Sequence, residues 1–242
     1  MRSLNSFSLR EKCFKACFFN CYLIMKSLFV VLPARNEAKS IGSVIKSVPK
    51  IPGFTVSVIV LDGNSTDRTV SISKSLGARV FSQKSRGKGS AFSEFLASLK
   101  RFPDVVVMLD ADSTYSPKDI PKSLKALSGY DVVVGSRLSS FSPGAFKPLN
   151  LVGNHVLTFI ANTLYKTKTP DLCSGFWVFN GKALSKFNVT APHFDLEADL
   201  FVNVNKLGLR FTSVPISYVK RVGESKLGLN AAFSILKRLI AR

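Results

Sequence analysis

Val105-Val106-Val107-Met108-Leu109-Asp110-Ala111-Asp112 is the stretch on which the fold turns. Its apolar, mostly β-branched half reads as a strand buried on both faces, as in a parallel sheet. Two carboxylates, two positions apart, follow directly. In open α/β sheets ligands bind beyond the carboxyl ends of the strands, so the pair stands where a ligand would. Neighbouring carboxylates repel unless a cation lies between them, and a hard divalent ion such as Mg²⁺ is commonly shared between carboxylates and substrate phosphates. The competing reading is a turn whose aspartates cap the next helix.

Working outward, strands and helices alternate. Leu28–Leu32, Val56–Leu61, Ala78–Phe81 and Val132–Val134 are further β-rich runs, the first ended by Pro33. Between them Ala38–Val48, Thr66–Leu76, Gly89–Leu99 and Pro117–Leu127 carry helical spacing, the last with proline in its first turn. Such alternation specifies βαβ units, hence an α/β fold with a mostly parallel sheet flanked by helices in a single domain.

The strand ends carry polar clusters: Pro33-Ala34-Arg35-Asn36-Glu37, Asp62 to Asp67, the aspartate pair, and Arg137. One cluster is a helix cap, and Ser65 and Thr66 include one; four on one edge call for a ligand. Carboxylates suit ribose hydroxyls and a base edge, while a metal and arginine suit phosphates, which together describe a nucleotide-diphosphate site. No GxxxxGK[ST] occurs, so a P-loop is not its source. Arg86-Gly87-Lys88-Gly89 reads as a flexible basic loop opening a helix.

The 242 residues carry a formal charge of +19, from 34 Lys+Arg against 15 Asp+Glu. That excess predicts polyanionic partners, such as nucleic acid, anionic headgroups or phosphorylated substrates. A basic protein binding RNA or membrane without catalysis would explain the charge but not the strand-end clusters, so nucleic acid is not the expected partner. The four cysteines do not form a disulfide framework, and Cys13, Cys17 and Cys21 have no histidine beside them for a metal site. Residues 1–24 read as an upstream extension or loose tail, with Met25 as the native start.

In order and spacing, PARNE at 33–37, LDGNSTDRT at 61–69, GKG at 87–89, DADSTYSP at 110–117 and GSR at 135–137 resemble the family 2 glycosyltransferases of GT-A fold. The sequences DLCSGF at 171–176 and RVGESKL at 221–227 are similar to the dolichyl-phosphate mannose synthase and polyprenyl-phosphate sugar transferase branch. The resemblance implies that Pro33, Arg35 and Glu37 line the base and ribose pocket with Asp62, and that Lys88 belongs to the donor site. It implies Asp110 toward the nucleoside and Asp112 on Mg²⁺ or Mn²⁺ bridging the diphosphate. Arg137, Arg221, Ser225 and Lys226 would gather around the donor and acceptor phosphates. Two departures stand out. Thr114, the second metal-ligand candidate beside Asp112, directly or through a water, occupies a position where the longer glutamine often helps bind metal. Trp177 stands where Arg or Lys often follows SGF.

The chemistry expected is metal-dependent inverting transfer of a hexose, from GDP-mannose or UDP-glucose, to a polyprenyl or dolichyl phosphate. A metal and arginines stabilise the leaving diphosphate. A phosphate acceptor, with its second pKa near about 6, needs no general base. A sugar hydroxyl would need one, with Asp171 or Glu197 as candidates, unless Glu197 is a surface residue on the helix after Phe194. Transfer to a soluble acceptor and sugar-phosphate nucleotidyl transfer are the alternatives.

Residues 228–242 read as a basic amphipathic helix, with Leu229, Ala232, Phe233, Leu236 and Leu239–Ile240 on one face, and Leu151–Leu164 is also amphipathic. The expected partners are thus the nucleotide sugar, the lipid phosphate, an anionic membrane surface and a membrane-protein partner. No stretch reaches the length of a span, so the protein is expected to be peripheral, on the cytoplasmic face.

Overall fold

The computed structural model describes residues 25–221 and 229–240. Residues 1–24, with Cys13, Cys17 and Cys21, and the site candidates Ser225 and Lys226 lie outside the described residues.

Strand β1 (Lys26–Ala34) pairs parallel with β2 (Phe54–Asp62) along its whole length, Lys26 opposite Phe54 and Ala34 opposite Asp62. Helix α1 (Ile41–Ser47) connects them, and α2 (Thr69–Ser75) leads on to β3 (Arg79–Ser82). The chain then crosses back through α3 (Lys88–Ser98) to β4 (Val105–Met108), which pairs with the other side of β1. A short 3₁₀ turn at Pro117–Asp119 and α4 (Ile120–Ala126) precede β5 (Val132–Ser136). After α5 (Pro148–Tyr165) come β6 (Trp177–Asn180), α6 (Gly181–Leu184), α7 (Leu196–Lys206), β7 (Phe211–Pro215) and α8 (Leu229–Ile240).

The sheet order is β3-β2-β1-β4-β6-β5-β7, with β6 alone antiparallel to its neighbours. The order reverses between β1 and β4. In doubly wound sheets this switch opens a crevice at the carboxyl edge, and here PARNE and the aspartate pair flank it. Alternation along each strand divides the core. In β4, Val106 and Met108 join the face covered by α3, α5, α7 and α8, while Val105 and Val107 join the face covered by α1 and α4.

Two sequence expectations are corrected. Pro33 does not end β1, which continues to Ala34. Val31 O accepts from Leu109 N and Ala34 O from Gly63 N, so by alternation Pro33 faces β4, which has already ended at Met108. No ladder bond is lost there. Helices α1 and α2 start three residues later than their apolar spacing suggests, because Glu37–Ser40 and Asn64–Arg68 are loops held by side chains. Strands β6 and β7 are not legible as strands. The first is only Trp-Val-Phe-Asn wedged between two partners, and the second is a half-buried edge.

Candidate active site

Among the described residues, three of the four non-glycine residues with positive φ are Asn36 (53°), Asn64 (58°) and Ser113 (65°), one after each of β1, β2 and β4. Left-handed backbone turns the chain sharply at each strand end and concentrates at functional sites. The loops are zipped together by side chains. Asn36 N donates to Ser65 Oγ (2.9 Å), Thr66 N to Asn36 Oδ1 (2.8 Å), and Glu37 N to Thr69 Oγ1 (2.8 Å). Asp62, buried, accepts from Ser65 N at 3.2 Å. Asp67 accepts from the amides of Ala38 and Thr69 and is held below its usual value; those bonds and the Thr69 hydroxyl outweigh burial, which would raise it.

The aspartate pair is divided between two cations. Asp110 Oδ1 lies 2.5 Å from Lys88 Nζ, which also lies 2.5 Å from Glu197 Oε1. Burial alone would lower the lysine pKa, but the two carboxylates outweigh it and raise it. Glu197 is raised by burial, and by Asp110 sharing the same ammonium. Gly175 seals this corner. A Cβ there would come within 2.6 Å of Asp110 Oδ2, and its N–H donates to Tyr115 Oη at 2.7 Å.

Asp112 turns the other way. Its Oδ1 accepts from Thr114 N (3.0 Å) and Thr114 Oγ1 (2.6 Å), and its Oδ2 lies 3.0 Å from an Arg221 guanidinium nitrogen. The other terminal nitrogen of Arg221 reaches Glu37 Oε1 at 2.5 Å, so one arginine bridges the ends of β1 and β4. Burial, then Asp110, raises the Asp112 pKa above its usual value against the opposing effects of Thr114 and Arg221. Arg221 Nε is buried without a hydrogen-bond partner, as is Ser136 Oγ at the end of β5.

Arg137 is committed elsewhere. Its Nε and NH2 donate to the two oxygens of Asp171 (2.8 and 2.7 Å), its backbone N–H donates as well (3.0 Å), and Asn154 adds a fourth bond at 2.9 Å. The guanidinium lies 5.2 Å from the Phe146 ring centroid and 5.3 Å from that of Tyr218. Asp171 is fully buried; burial would raise its pKa, but Arg137 outweighs this and lowers it.

The structure thus brings Glu37, Asp62, Lys88, Asp110, Asp112, Thr114 and Arg221 to one edge, with Pro33 and Arg35 on the β1 side. Two expectations change. Lys88 is not in a flexible basic loop but points inward from the first turn of α3, drawn by two carboxylates. Glu197 is buried, not a surface residue. Trp177 lies in the core, stacked on Phe179 at 5.7 Å with its indole N–H bonded to Ser174 O. Sequence reading missed Asn154, Tyr115 and Tyr218. The only signal for Asn154 is a polar residue on the inner stripe of an apolar helix.

No group of three or more His, Cys, Asp or Glu suited to a metal exists among the described residues. The donor set nonetheless fits a hard divalent ion held jointly with a substrate. Asp112 is a desolvated carboxylate destabilised by Asp110, the charge pattern that a cation relieves, and Mg²⁺-type sites use one or two carboxylates plus substrate phosphates.

Residues 29–187 match the family described as Glycosyl transferase family 2. Glycosyltransferase AglJ of Haloferax volcanii is 34% identical over 202 residues, covering 83% of this chain and 66% of that protein. The dolichyl-phosphate hexose transferase of the same organism is 33% identical over 201 residues, covering 83% of this chain and 86% of that protein. Among solved structures, glucosyl-3-phosphoglycerate synthase from Mycobacterium tuberculosis, in complex with Mn²⁺, UDP and glucosyl-3-phosphoglycerate, superposes with a TM-score of 0.71. It is 24% identical and covers 100% of this chain and 86% of that one. This likeness is one of fold.

Proposed function

The chain belongs to glycosyltransferase family 2, and from that premise we propose that it moves a hexose from a nucleotide sugar to a polyprenyl phosphate, with inversion, at an anionic membrane surface. The observation that carries the reading is the Arg221 bridge between Glu37 and Asp112 at the switch between β1 and β4. A guanidinium spread over two carboxylates, with a buried Nε still unpartnered, is a donor set ready for diphosphate oxygens.

In this mechanism Pro33, Arg35, Glu37 and Asp62 form the base and ribose pocket, and Asp110, oriented by Lys88, faces the nucleoside. Asp112 is the residue that would hold Mg²⁺ or Mn²⁺ together with the donor, and such an ion would supply charge stabilisation to the leaving diphosphate. The Thr114 hydroxyl is donated to Asp112, so we assign it the orienting of that carboxylate. Arg221 turns toward the diphosphate when the donor enters. Ser225 and Lys226, just beyond it in the chain, complete the phosphate side. An acceptor phosphate oxygen bonds to the anomeric carbon as the bond from that carbon to the diphosphate breaks, and a nucleoside diphosphate leaves. The acceptor oxygen is already anionic near neutral pH, so no base is required. Asp171, saturated with hydrogen bonds and of lowered pKa, is suited to anchoring Arg137 and not to proton abstraction.

The lipid acceptor is supported by the name of the dolichyl-phosphate hexose transferase relative and by two exposed apolar surfaces. Leu149, Val152, Val156 and Phe159 form a stripe along α5, and Phe233 and Ile240 stand out from α8. No helix among the described residues is long and apolar enough to cross a membrane, which fits peripheral attachment, on the cytoplasmic face where nucleotide sugars are available. A membrane-protein partner could share this surface.

A thermal-shift panel of GDP and UDP, each with Mg²⁺ or Mn²⁺, tests the donor site. Stabilisation by one nucleotide with metal is expected, and stabilisation by neither overturns the site. Incubation with membrane extract and labelled nucleotide sugar tests the acceptor: a glycolipid labile to mild acid is expected, and label found only in water-soluble product overturns the lipid acceptor.

A further inference from the structure

Lys88 is held at its ammonium by Asp110 and Glu197, and the backbone directly after it by a strap of chain from the opposite side. Gly89 N donates to His193 O at 3.3 Å and Ser90 N to Pro192 O at 3.0 Å. A Cβ at Gly89 would stand 1.9 Å from Ala191 O, and one at Gly87 would stand 2.0 Å from Pro192 O. The strap therefore lies directly on the first turn of α3, with no room for a side chain between them.

The strap is fixed in turn by the first turn of α7. Asp199 Oδ2 accepts from Thr190 N at 2.7 Å and Ala191 N at 2.9 Å, and Asp195 Oδ1 accepts from His193 N at 3.1 Å. Both aspartates are buried, and both meet Arg238 of α8, at 3.2 Å for Asp195 and 3.6 Å for Asp199. Arg238 also donates to Thr190 Oγ1 at 2.7 Å, touching the strap itself. Asp195, Glu197 and Asp199 crowd one helix start. The helix dipole favours acids there, but their mutual repulsion calls for cations, and two supply it: Lys88 from the donor side and Arg238 from α8.

We propose that Arg238 is a positioning residue for the donor site: from the amphipathic C-terminal helix it fixes the first turn of α7 and the strap 190–193, and through them Lys88 and the orientation of Asp110. The inference rests on the donor site proposed above. The helix that turns Phe233 and Ile240 outward thus braces the nucleotide site with its inner face, where Ile235 and Leu239 are buried. Membrane contact and donor binding then share one connected unit.

The test uses the full chain as wild type, Arg238→Gln, Arg238→Lys and Thr190→Val, each kept well below its melting temperature. Calorimetry measures affinity for Mn²⁺ with GDP and with UDP, and hydrogen exchange follows the amides of Gly89 and Ser90 against those of β1 and β4. Arg238→Gln is expected to weaken binding of the nucleotide that wild type prefers by about tenfold. Exchange at Gly89 and Ser90 should quicken while β1 and β4 stay protected, and Arg238→Lys should restore part of both. Thr190→Val, which removes only the contact to the strap hydroxyl, should shift both readouts the same way by less; if Arg238→Gln fails to fold, this variant decides. Wild-type affinity together with wild-type exchange at Gly89 and Ser90 overturns the inference. So does exchange that quickens uniformly across the sheet, which marks a merely structural arginine. Wild type that binds neither nucleotide overturns the donor reading, and this inference with it.

Discussion

Arg137 and Arg221 each bind a carboxylate at the carboxyl edge of the sheet, yet the two pairings are built for different tasks. Arg137 and Asp171 match fork to fork, Asn154 completes the acceptor, and Phe146 and Tyr218 lie close to the guanidinium. Arg221 instead divides its terminal nitrogens between Glu37 and Asp112 and leaves Nε unpartnered. The Asp171 carboxylate, with four hydrogen bonds, has no acceptor capacity left for a substrate, whereas a split pair can be exchanged for a ligand carrying the same charges. The first braces the edge, and the second works on it.

The sharpest way to break this distinction is to remove each arginine. Arg137→Met leaves Asp171 buried and uncompensated, and breaking such a pair costs about 3–5 kcal/mol. Urea denaturation should show that loss, and a change under about 1 kcal/mol would put Arg137 among the exchangeable groups. Arg221→Met leaves Glu37 and Asp112 buried without their shared cation, so it too should cost stability, though less than Arg137→Met because this guanidinium is more exposed. It should also lower kcat/KM by about a hundredfold or more, the scale of one electrostatic donor lost from a transition state. Steady-state turnover on the preferred donor checks it, and a variant as active as wild type would remove Arg221 from the site.

The carboxylates sharpen the same comparison through pH, with opposite signs. Arg137 outweighs burial and lowers the Asp171 pKa, so its contribution is present above the unfolded value of about 3.9 and is lost as pH falls through the folded one. Burial and Asp110 raise the Asp112 pKa, so its contribution is complete below about 3.9 and declines as pH rises toward the folded value. Wild type should therefore lose stability relative to Asp112→Asn as pH rises from about 4. Saturating Mn²⁺ and nucleoside diphosphate should abolish the decline. Denaturant midpoints across pH decide, and a difference that does not change with pH would mean that Asp112 is not under this strain.

What was legible in the sequence follows the same divide between local and long-range causes. β1, β2, β4 and β5 are visible because strands buried in a parallel sheet are continuous apolar runs, the edge strand β3 only through Val80-Phe81, and their loops are visible because ligand-side residues cluster at strand ends. β6 is not, since four residues flanked on both sides by other strands carry no alternation of their own. The aspartate pair is legible as a ligand site, but its division is not. Lys88 meets Glu197 across 109 positions and Arg221 meets Glu37 across 184. No spacing rule reaches that far, and only the family resemblance pointed to Lys88 and Arg221. The choice of partner for a buried charge is settled by packing.

The smallest expected effect tests how far the bracing role extends toward the lipid. Helix α5 has two faces: Asn154, Leu157 and Ala161 are buried, with Asn154 on the saturated Asp171, while Phe159 is 72% exposed on the other side. Phe159→Ser should thus leave stability within about 0.5 kcal/mol, as for substitutions away from packed contacts. If the outer face meets a bilayer, the lost burial of one phenyl ring should weaken binding to anionic vesicles by about tenfold, with turnover on a short, water-soluble prenyl phosphate unchanged. Vesicle sedimentation and the soluble assay separate the two. Deleting residues 228–242 would not, because α8 is bound into the domain through Ile235, Leu239 and Arg238. Unchanged vesicle binding by Phe159→Ser would confine membrane contact to α8. A fall in soluble turnover would mean that the outer face of α5 serves the site directly, and the line between bracing and working residues would have to be redrawn through that helix.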